Sequence, residues 1–390
     1  MKQATRQLKI RKVAVAVKLS DASWRDFLTG FFDWGKRNAH WDIRVAQSVE
    51  ELERIAAGCQ GIVMGMKPSS QVLSACAQSV TPIVAVGAEW QLERNDVPIA
   101  FIRNDNEDIG RFCARHFLSL GRFASAGFVP SDNSDDWSVA RERGFLSEFR
   151  NAEKFVFHPA SEPGSDKDIA MLAAWLTKLP KPAAVMAAWD VRAVHVASAC
   201  RVARLRVPET VSIIGVDNDR LLCDFATPPL TSVAPDHVLE GQVVAETIDR
   251  MMRRCCKSSR GVPYARHLLN TAKKMVERES AKPISPVAVL IARTLAFIDD
   301  HASENIKTAD VCAALGVSRS LLDLRFRENR GETVAAAIVR RRLEEVARKL
   351  RDTKMSIRAI SAACGFSNVN HLKNLFKRKH GISMRAWRER

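Results

Sequence analysis

Ser356-Ile-Arg-Ala-Ile-Ser-Ala-Ala-Cys-Gly-Phe-Ser-Asn-Val-Asn-His-Leu-Lys-Asn-Leu-Phe376 holds a short apolar-sided helix, a glycine turn and a second helix. The same order occurs once before. Leu315-Gly316-Val317-Ser318 is echoed by Cys364-Gly365-Phe366-Ser367 at an offset of 49, and Leu322-x-x-x-Phe326 by Leu372-x-x-x-Phe376 at 50. Gly331 returns as Gly381, so one residue is inserted in the second copy. Each copy reads as a helix-turn-helix, at 308–329 and 356–379. In the first, Thr308 caps a helix whose apolar side is Val311, Cys312 and Leu315. Gly316 supplies a turn where the left-handed backbone suits glycine. Ser318 caps the helix that buries Leu322 and Phe326 one turn apart. The second copy uses Ile357, Ile360 and Ala363, then Gly365, then Ser367 as cap before Leu372 and Phe376. Ala313 and Ala362 are small enough to permit close helix crossing.

Charge supports a nucleic-acid reading of this repeat. The chain of 390 residues carries a net +16, of which the last 90 hold +11, from 6 Lys and 14 Arg against 3 Asp and 6 Glu. A basic segment built on two helix-turn-helices fits double-stranded DNA. With Leu322 and Phe326 inward, the second helix of copy one presents Arg319, Ser320, Asp323, Leu324 and Arg327. Copy two presents Asn368, Val369, Asn370, Lys373, Asn374 and Lys377. Asn suits the adenine edge, Lys guanine, Asp the cytosine amine, and Leu324 and Val369 thymine methyls. Arg319, Arg327, Lys377 and the run Arg340-Arg341-Arg342 read as phosphate contacts, which position without specifying. A connecting helix over 333–350 carries Glu344→Arg348 and Glu345→Lys349 pairs on a solvated face. It holds the two reading helices at a fixed separation, about one duplex turn or ~34 Å.

Upstream, Pro283-Ile-Ser-Pro286 marks a linker, expected at 281–289 between a domain over 1–280 and one over 290–390. The longer part alternates β-branched apolar runs (13–17, 61–64, 83–86, 99–102, 124–129, 184–187 and 211–216) with stretches of helical period (23–38, 70–78, 107–120, 137–150, 166–178, 190–203 and 237–256). Such alternation predicts an α/β fold with parallel sheets covered by helices, and the strand number calls for two lobes. Ligands bind such sheets beyond the carboxyl ends of the strands. Ser20-Asp-Ala-Ser-Trp24, Asn104-Asp-Asn106, Ala187-Ala-Trp-Asp190 and Val216-Asp-Asn-Asp219 lie there. Any one Asp in these loops can be a helix cap. Together they suggest a polar small-molecule pocket, with carboxylates for vicinal hydroxyls and Trp for a sugar face.

Other classes find little support. There is no dinucleotide or P-loop glycine pattern, no nucleophile elbow and no H-E-x-x-H, so neither a catalytic site, a cofactor nor a metal is expected. His195, on an apolar helix, reads as a packed or surface residue. Nine cysteines without a C-x-x-C fit reduced cytoplasmic thiols. The adjacent Cys255 and Cys256 are not expected to bridge. The segment after Met1 is too short in apolar residues for an export signal, and no run is long enough for a bilayer.

The 331–350 segment, Ser356-Ile-Arg-Ala-Ile-Ser-Ala-Ala-Cys-Gly-Phe-Ser367 and Leu375-Phe-Lys-Arg-Lys-His-Gly381 resemble the AraC-type DNA-binding domain over 287–390. Ser383-Met384 stands where that family usually has T-P, Trp387 where it has Tyr, and His371-Leu372 where an aromatic pair is frequent. Residues 10–275 resemble the periplasmic-binding-protein-like effector domain of LacI/GalR-type regulators. Pro98-x-x-Phe-x-x-Asn-Asp105, Arg141-x-x-Gly-Phe145, Ala188-x-Asp190, Ile213-Ile-Gly-Val-Asp-Asn218 and Leu230-Thr-Ser-Val233 carry that match. The resemblance implies Arg141, Asp190 and Asp217 as sugar contacts, with Trp24, Trp137 and Asn218 as neighbours. The order of the two parts is similar to that of bacterial xylose-operon regulators. It implies a cytoplasmic homodimeric activator that binds an operator, responds to a monosaccharide (xylose first) and contacts RNA polymerase, with no membrane partner. The open alternatives are an exported binding protein, an α/β enzyme fused to a DNA-binding module, and a regulator that answers another carbohydrate or none.

Overall fold

The computed structural model describes residues 10–87, 97–131, 135–255, 265–269, 273–283 and 285–388. The first nine residues, Cys256 and Ile284 of the expected linker lie outside them. The chain divides into two compact units, one running through Lys282 and the other comprising chiefly Pro283–Arg390.

The first unit holds two six-stranded sheets. In chain order the first lobe supplies β1 (Arg11–Ala16), α1 (Ala22–Asn38), β2 (Trp41–Ala46), α2 (Val49–Ala56), β3 (Gly61–Met64), α3 (Ser70–Ser79), β4 (Ile83–Val86) and β5 (Ile99–Asn104). There follow α4 (Asn106–Leu120), β6 (Ser125–Val129), α5 (Asp136–Glu148), β7 (Glu153–Val156), α6 (Asp166–Lys178), β8 (Ala183–Ala187), α7 (Asp190–Val202), β9 (Val211–Val216), α8 (Arg220–Phe225) and β10 (Thr231–Pro235). Helix α9 (His237–Cys255) and strands β11 (Ala265–Leu269) and β12 (Lys273–Val276) complete the unit. The sheet orders are β11-β5-β4-β3-β1-β2 and β12-β10-β9-β8-β6-β7. Among the described residues pairing is parallel except β10 with β12, which is antiparallel and departs from the expected parallel sheets.

Five strands escaped the sequence reading, and four of them (β2, β7, β11 and β12) are the sheet edges. An edge strand need not be apolar on both faces, so Asp42, Arg44 and the Glu153-Lys154 pair hid β2 and β7. The fifth, β10, is interior. Its Thr231 and Ser232 are fully buried because both hydroxyls have partners. The short helices α2 and α8 were also unforeseen.

Two reciprocal glycine pairs set the lobes. A Cβ at Gly30 of α1 would fall 1.9 Å from the Val238 carbonyl oxygen, and one at Gly241 of α9 would fall 2.0 Å from that of Phe27. Gly110 of α4 and Gly144 of α5 stand likewise against Arg141 and Glu107. Thus α9 follows a strand of the second sheet yet packs on the first lobe, where Val244, Ile248 and Met252 join the core of Val13, Phe27 and Val63. Helix α4 makes the opposite exchange. The chain therefore crosses between the lobes beside His237.

The second unit is helical: α10 (Pro286–His301), α11 (Thr308–Leu315), α12 (Arg319–Arg330), α13 (Val334–Asp352), α14 (Ile357–Ala363), α15 (Val369–His380) and α16 (Met384–Arg388). Leu322 and Phe326 are buried in a core with Val311, Val334 and Ile338. Leu372 and Phe376 occupy a second core with Leu343, Val346 and Leu350. Burial of each such side chain is worth about 1.5–3 kcal/mol. Gly316 and Gly365 take φ of 65° and 68°, the left-handed turns expected of them. Two caps differ from expectation. Lys307, not Thr308, precedes α11; its N–H is accepted by Asp310, and Thr308 is buried. Asn368, not Ser367, caps α15. Ala313 and Ala362 are exposed.

Candidate functional site

In the first unit the strand-end loops bring together five ionisable side chains. Arg141, buried on α5, donates from Nε to Asn106 Oδ1 at 2.9 Å and from Nη1 to the Ala188 carbonyl at 2.5 Å. Its Nη2 lies 3.7 Å from Asp217 Oδ1, and its guanidinium carbon 4.8 Å from the Trp137 ring centroid. Trp137, Arg141 and Asp217 are thus one cluster.

Asp190 has a different part. Its Oδ1 accepts the Ser232 hydroxyl and its Oδ2 the Asp219 N–H, both at 2.7 Å. Gly215 makes room for it, since a Cβ there would fall 2.2 Å from Oδ1. One oxygen is taken by the 217–219 loop and the other by Ser232 of β10, so this carboxylate builds the site rather than offering two free acceptors to hydroxyls. Burial, reinforced by the nearby Asp217 charge, pushes its pKa up to about 7.

The loop itself is strained: Asp217 and Asn218, neither a glycine, take φ of 96° and 51°. Asn218 turns its side-chain oxygen to Arg278, while its N–H donates to Ser232 Oγ at 3.0 Å. Trp24 belongs to the first lobe, edge-on to Phe27 at 5.4 Å and against Gly65. Its neighbour Arg25 reaches Asp219 at 4.0 Å across the lobes.

Sequence reasoning missed His237 and Glu240. His237, at the start of α9, places Nδ1 3.0 Å from Glu240 Oε2 and Nε2 3.4 Å from Asp217 Oδ1. Nε2 and Asp217 Oδ1 are both buried and face each other as an ion pair too long for a close hydrogen bond, and Trp189 Nε1 is buried without a hydrogen-bond partner. Burial pulls the His237 pKa down, but Asp217 and Glu240 outweigh it and hold it up to about 10. Burial raises the Asp217 carboxyl, and Arg141 and His237 bring it below its ordinary value. A buried carboxylate held only by long ion pairs to Arg141 and His237, beside an aromatic ring, suits a polyhydroxylated ligand that is donor and acceptor at once. A lone His gives no periodic signal; only the acidic residue three positions on, one helical turn away, hinted at this pair. His195 is half-buried beside Arg192, at 3.0 Å.

In the second unit Arg319, Ser320, Leu324 and Arg327 are exposed on α12, and Asp323 is half-buried within 3.5 Å of Arg319. On α15, Asn370, Lys373, Asn374 and Lys377 are exposed and Val369 is half-buried. Asn368 is exposed and spends its side-chain oxygen on the N–H groups of Asn370 and His371, capping α15. The exposed Leu321 was missed.

The Arg340-Arg341-Arg342 run is not the phosphate surface expected. Arg340 is paired with Glu332 and Glu344, and Arg341 binds Asp299 at 2.7 Å. Arg342 is buried and donates to the carbonyls of Ala302, Glu304 and Ile306. Glu345 pairs with Lys349 at 3.6 Å as expected, whereas Glu344 meets Arg340 and Lys379 instead of Arg348. Among the described residues no cluster fits a metal ion, and no helix is long and apolar enough to cross a membrane.

Comparison with known proteins gives the same two parts. A family described as a periplasmic binding protein-like domain matches residues 114–281, and one described as a helix-turn-helix domain matches 311–390. The chain is 28% identical over 359 residues to the xylose operon regulatory protein of Escherichia coli (strain K12), covering 90% of each. It is 23% identical to the protein of that name from Haemophilus influenzae, covering 80% of each. A solved structure described as the xylose-binding transcription activator xylR covers 98% of both chains, with TM-score 0.60 and 25% identity. A ribose-bound LacI family regulator from Enterococcus faecium covers 70% of this chain and all of its own, with TM-score 0.55 and 20% identity, and shows the fold of the first unit.

Proposed function

We propose that this chain is a sequence-specific, sugar-responsive transcription regulator, with the periplasmic binding protein-like unit as sensor and the double helix-turn-helix as reader of double-stranded DNA. The observation that carries it is the pairing, in one chain, of two reading helices with exposed polar faces and a buried cluster of Arg141, Asp217, His237 and Glu240 at the lobe crossing. A monosaccharide is held by Arg141 and Asp217 with Trp137 and His237 beside it, and Asp190 and Asn218 shape the loop. Xylose is the leading candidate, on the likeness to xylose operon regulators. The sugar alters DNA binding only through a difference in its affinity for two arrangements of the sensor. The chain acts in the cytoplasm as a homodimer on paired half-sites and activates through RNA polymerase, without catalysis or cofactor.

A thermal-shift screen against pentoses, hexoses and their phosphates tests the sensor, since a ligand that binds only the folded state must stabilise it. The expected result is a raised melting temperature with D-xylose or a close pentose, together with an altered affinity for a selected DNA duplex. No shift with any sugar, or turnover of the bound sugar, overturns the reading.

A further inference from the structure

The chain leaves the sensor through the residues after β12, and one side chain there reaches back to the strained 217–219 loop. Arg278 donates from Nη2 to Asn218 Oδ1 at 3.0 Å, from Nη1 to the Leu230 carbonyl at 2.9 Å and from Nε to Asp224 Oδ1 at 2.6 Å. Its own N–H is accepted by Thr231 Oγ1 at 2.9 Å. Two residues on, Ser280 is fully buried and clamped four ways. Its hydroxyl donates to the Ile213 carbonyl at 2.6 Å and accepts the Thr231 N–H at 2.8 Å. Its N–H donates to the Pro229 carbonyl, and its carbonyl accepts the Ile213 N–H. Helix α10, the first of the DNA-binding unit, begins at Pro286.

At the other end of this path, Asn218 adjoins Asp217, whose carboxylate faces Arg141 and His237 in the cluster, and Asp219, whose N–H is held by Asp190. Asp219 also caps α8 by accepting the N–H groups of Leu221 and Leu222. A guanidinium is planar, and its fork ties each acceptor in direction as well as distance. A shift of the loop on filling the cluster therefore acts on Arg278 through directed bonds, and Arg278 is covalently two residues from the clamp that holds the exit strand.

We propose that Arg278 is the positioning residue through which occupancy of the Asp217 cluster is communicated to the segment that carries the DNA-binding unit. The proposal rests on the sugar-response reading above and adds the route, which no comparison supplies. It makes Arg278 a coupling residue, outside the sugar contacts themselves. Lysine cannot replace it, because an ammonium cannot serve Asn218, Leu230 and Asp224 together in these directions.

The test compares the full-length wild-type chain with Arg278→Lys and Arg278→Gln. D-xylose binding is measured by calorimetry, and DNA affinity with and without D-xylose on a duplex selected by the wild-type chain from a randomised pool. Both variants are expected to bind D-xylose within about threefold of wild type, while the ratio of the two DNA affinities falls to within about twofold of unity; couplings of this kind are typically ~5–150-fold. A retained ratio overturns the proposal, and so does loss of D-xylose binding itself, which would make Arg278 part of the pocket. Hydrogen exchange on the sugar-free chains supplies an arm that does not depend on the effector. The amides of Leu221, Leu222 and Ser280 are expected to exchange faster together in both variants, and a rise confined to Ser280 overturns the link. If the wild-type chain binds no sugar, the functional reading fails and this exchange result alone decides for or against Arg278.

Discussion

Arg342 donates to the carbonyl oxygen of Glu304 at 2.7 Å, and that same oxygen lies 2.5 Å from where a Cβ on Gly365 would stand. The loop before the first helix-turn-helix, the connecting helix α13 and the turn of the second motif thus meet at one backbone atom.

Gly365→Ala is therefore expected to cost more than Gly316→Ala. Both residues have positive φ, but Gly316 has open space where a Cβ would go. About 1 kcal/mol is expected at 316 and about 3 kcal/mol at 365, where backbone strain and the clash with Glu304 combine. Chemical denaturation of the two variants checks the order; equal costs would mean that the Glu304 loop moves aside freely.

The three consecutive arginines are expected to behave differently. Arg342→Met removes donors from three carbonyls and is expected to destabilise by roughly 3 kcal/mol. Arg341→Ala gives up a partly exposed pair with Asp299, about 1 kcal/mol or less, and leaves the salt dependence of DNA binding unchanged. Arg327→Ala and Lys377→Ala are the contrasting cases, and loss of a phosphate contact at either lowers the slope of log affinity against log salt by about one. A slope lowered by Arg341→Ala would return that residue to the DNA surface.

Asn368 and Asn370 are expected to separate by phenotype. Asn368→Ala removes a cap and is expected to cost about 1 kcal/mol of stability with sequence preference intact. Asn370→Ala leaves stability alone and relaxes preference at one base pair, by about 1–3 kcal/mol. Binding-site selection with each variant checks this, and a uniform loss on all DNA would assign Asn370 to the backbone.

The sensor is expected to lose stability as pH rises. Asp190 goes from an ordinary value of 3.8 to about 7 on folding, so the folded state holds the extra proton and stability falls between those values. His237 goes from 6.5 to about 10, so its contribution is complete below 6.5 and lost as pH climbs towards 10. Melting temperature should therefore decline from pH 6 to pH 9. Asp190→Asn flattens the lower half of the decline and His237→Gln the upper half. A melting temperature that rises over this range contradicts both assignments.

How much of this was legible in the sequence depended on whether burial was uniform along an element. Strands β3, β4 and β9 are buried along their length and stand out as apolar runs, whereas β10 hides its burial behind hydroxyls that are hydrogen-bonded only in the fold. Arg141 and Asp217 could be matched by pattern. The bonds that commit Asp190 to Ser232 and Asp219 join residues 29 and 42 positions apart, beyond any local pattern. The 340–342 run shows the same limit: composition sees three like charges, and only burial and partners tell a fastener from an exposed cation.

Helix α13 gives its first turns to one core and its last turns to the other, through Val334, Ala337 and Ile338 on one side and Leu343, Val346, Ala347 and Leu350 on the other. Because it is a single unbroken rod of 19 residues, it would act as a ruler if α12 and α15 both enter the major groove as proposed. The bases read by the two helices are then expected to form one word with a fixed internal space. One base pair added inside that space turns the second half away by about a tenth of a helical turn. Substitutions within either half should then be tolerated far better than a change in the distance between them.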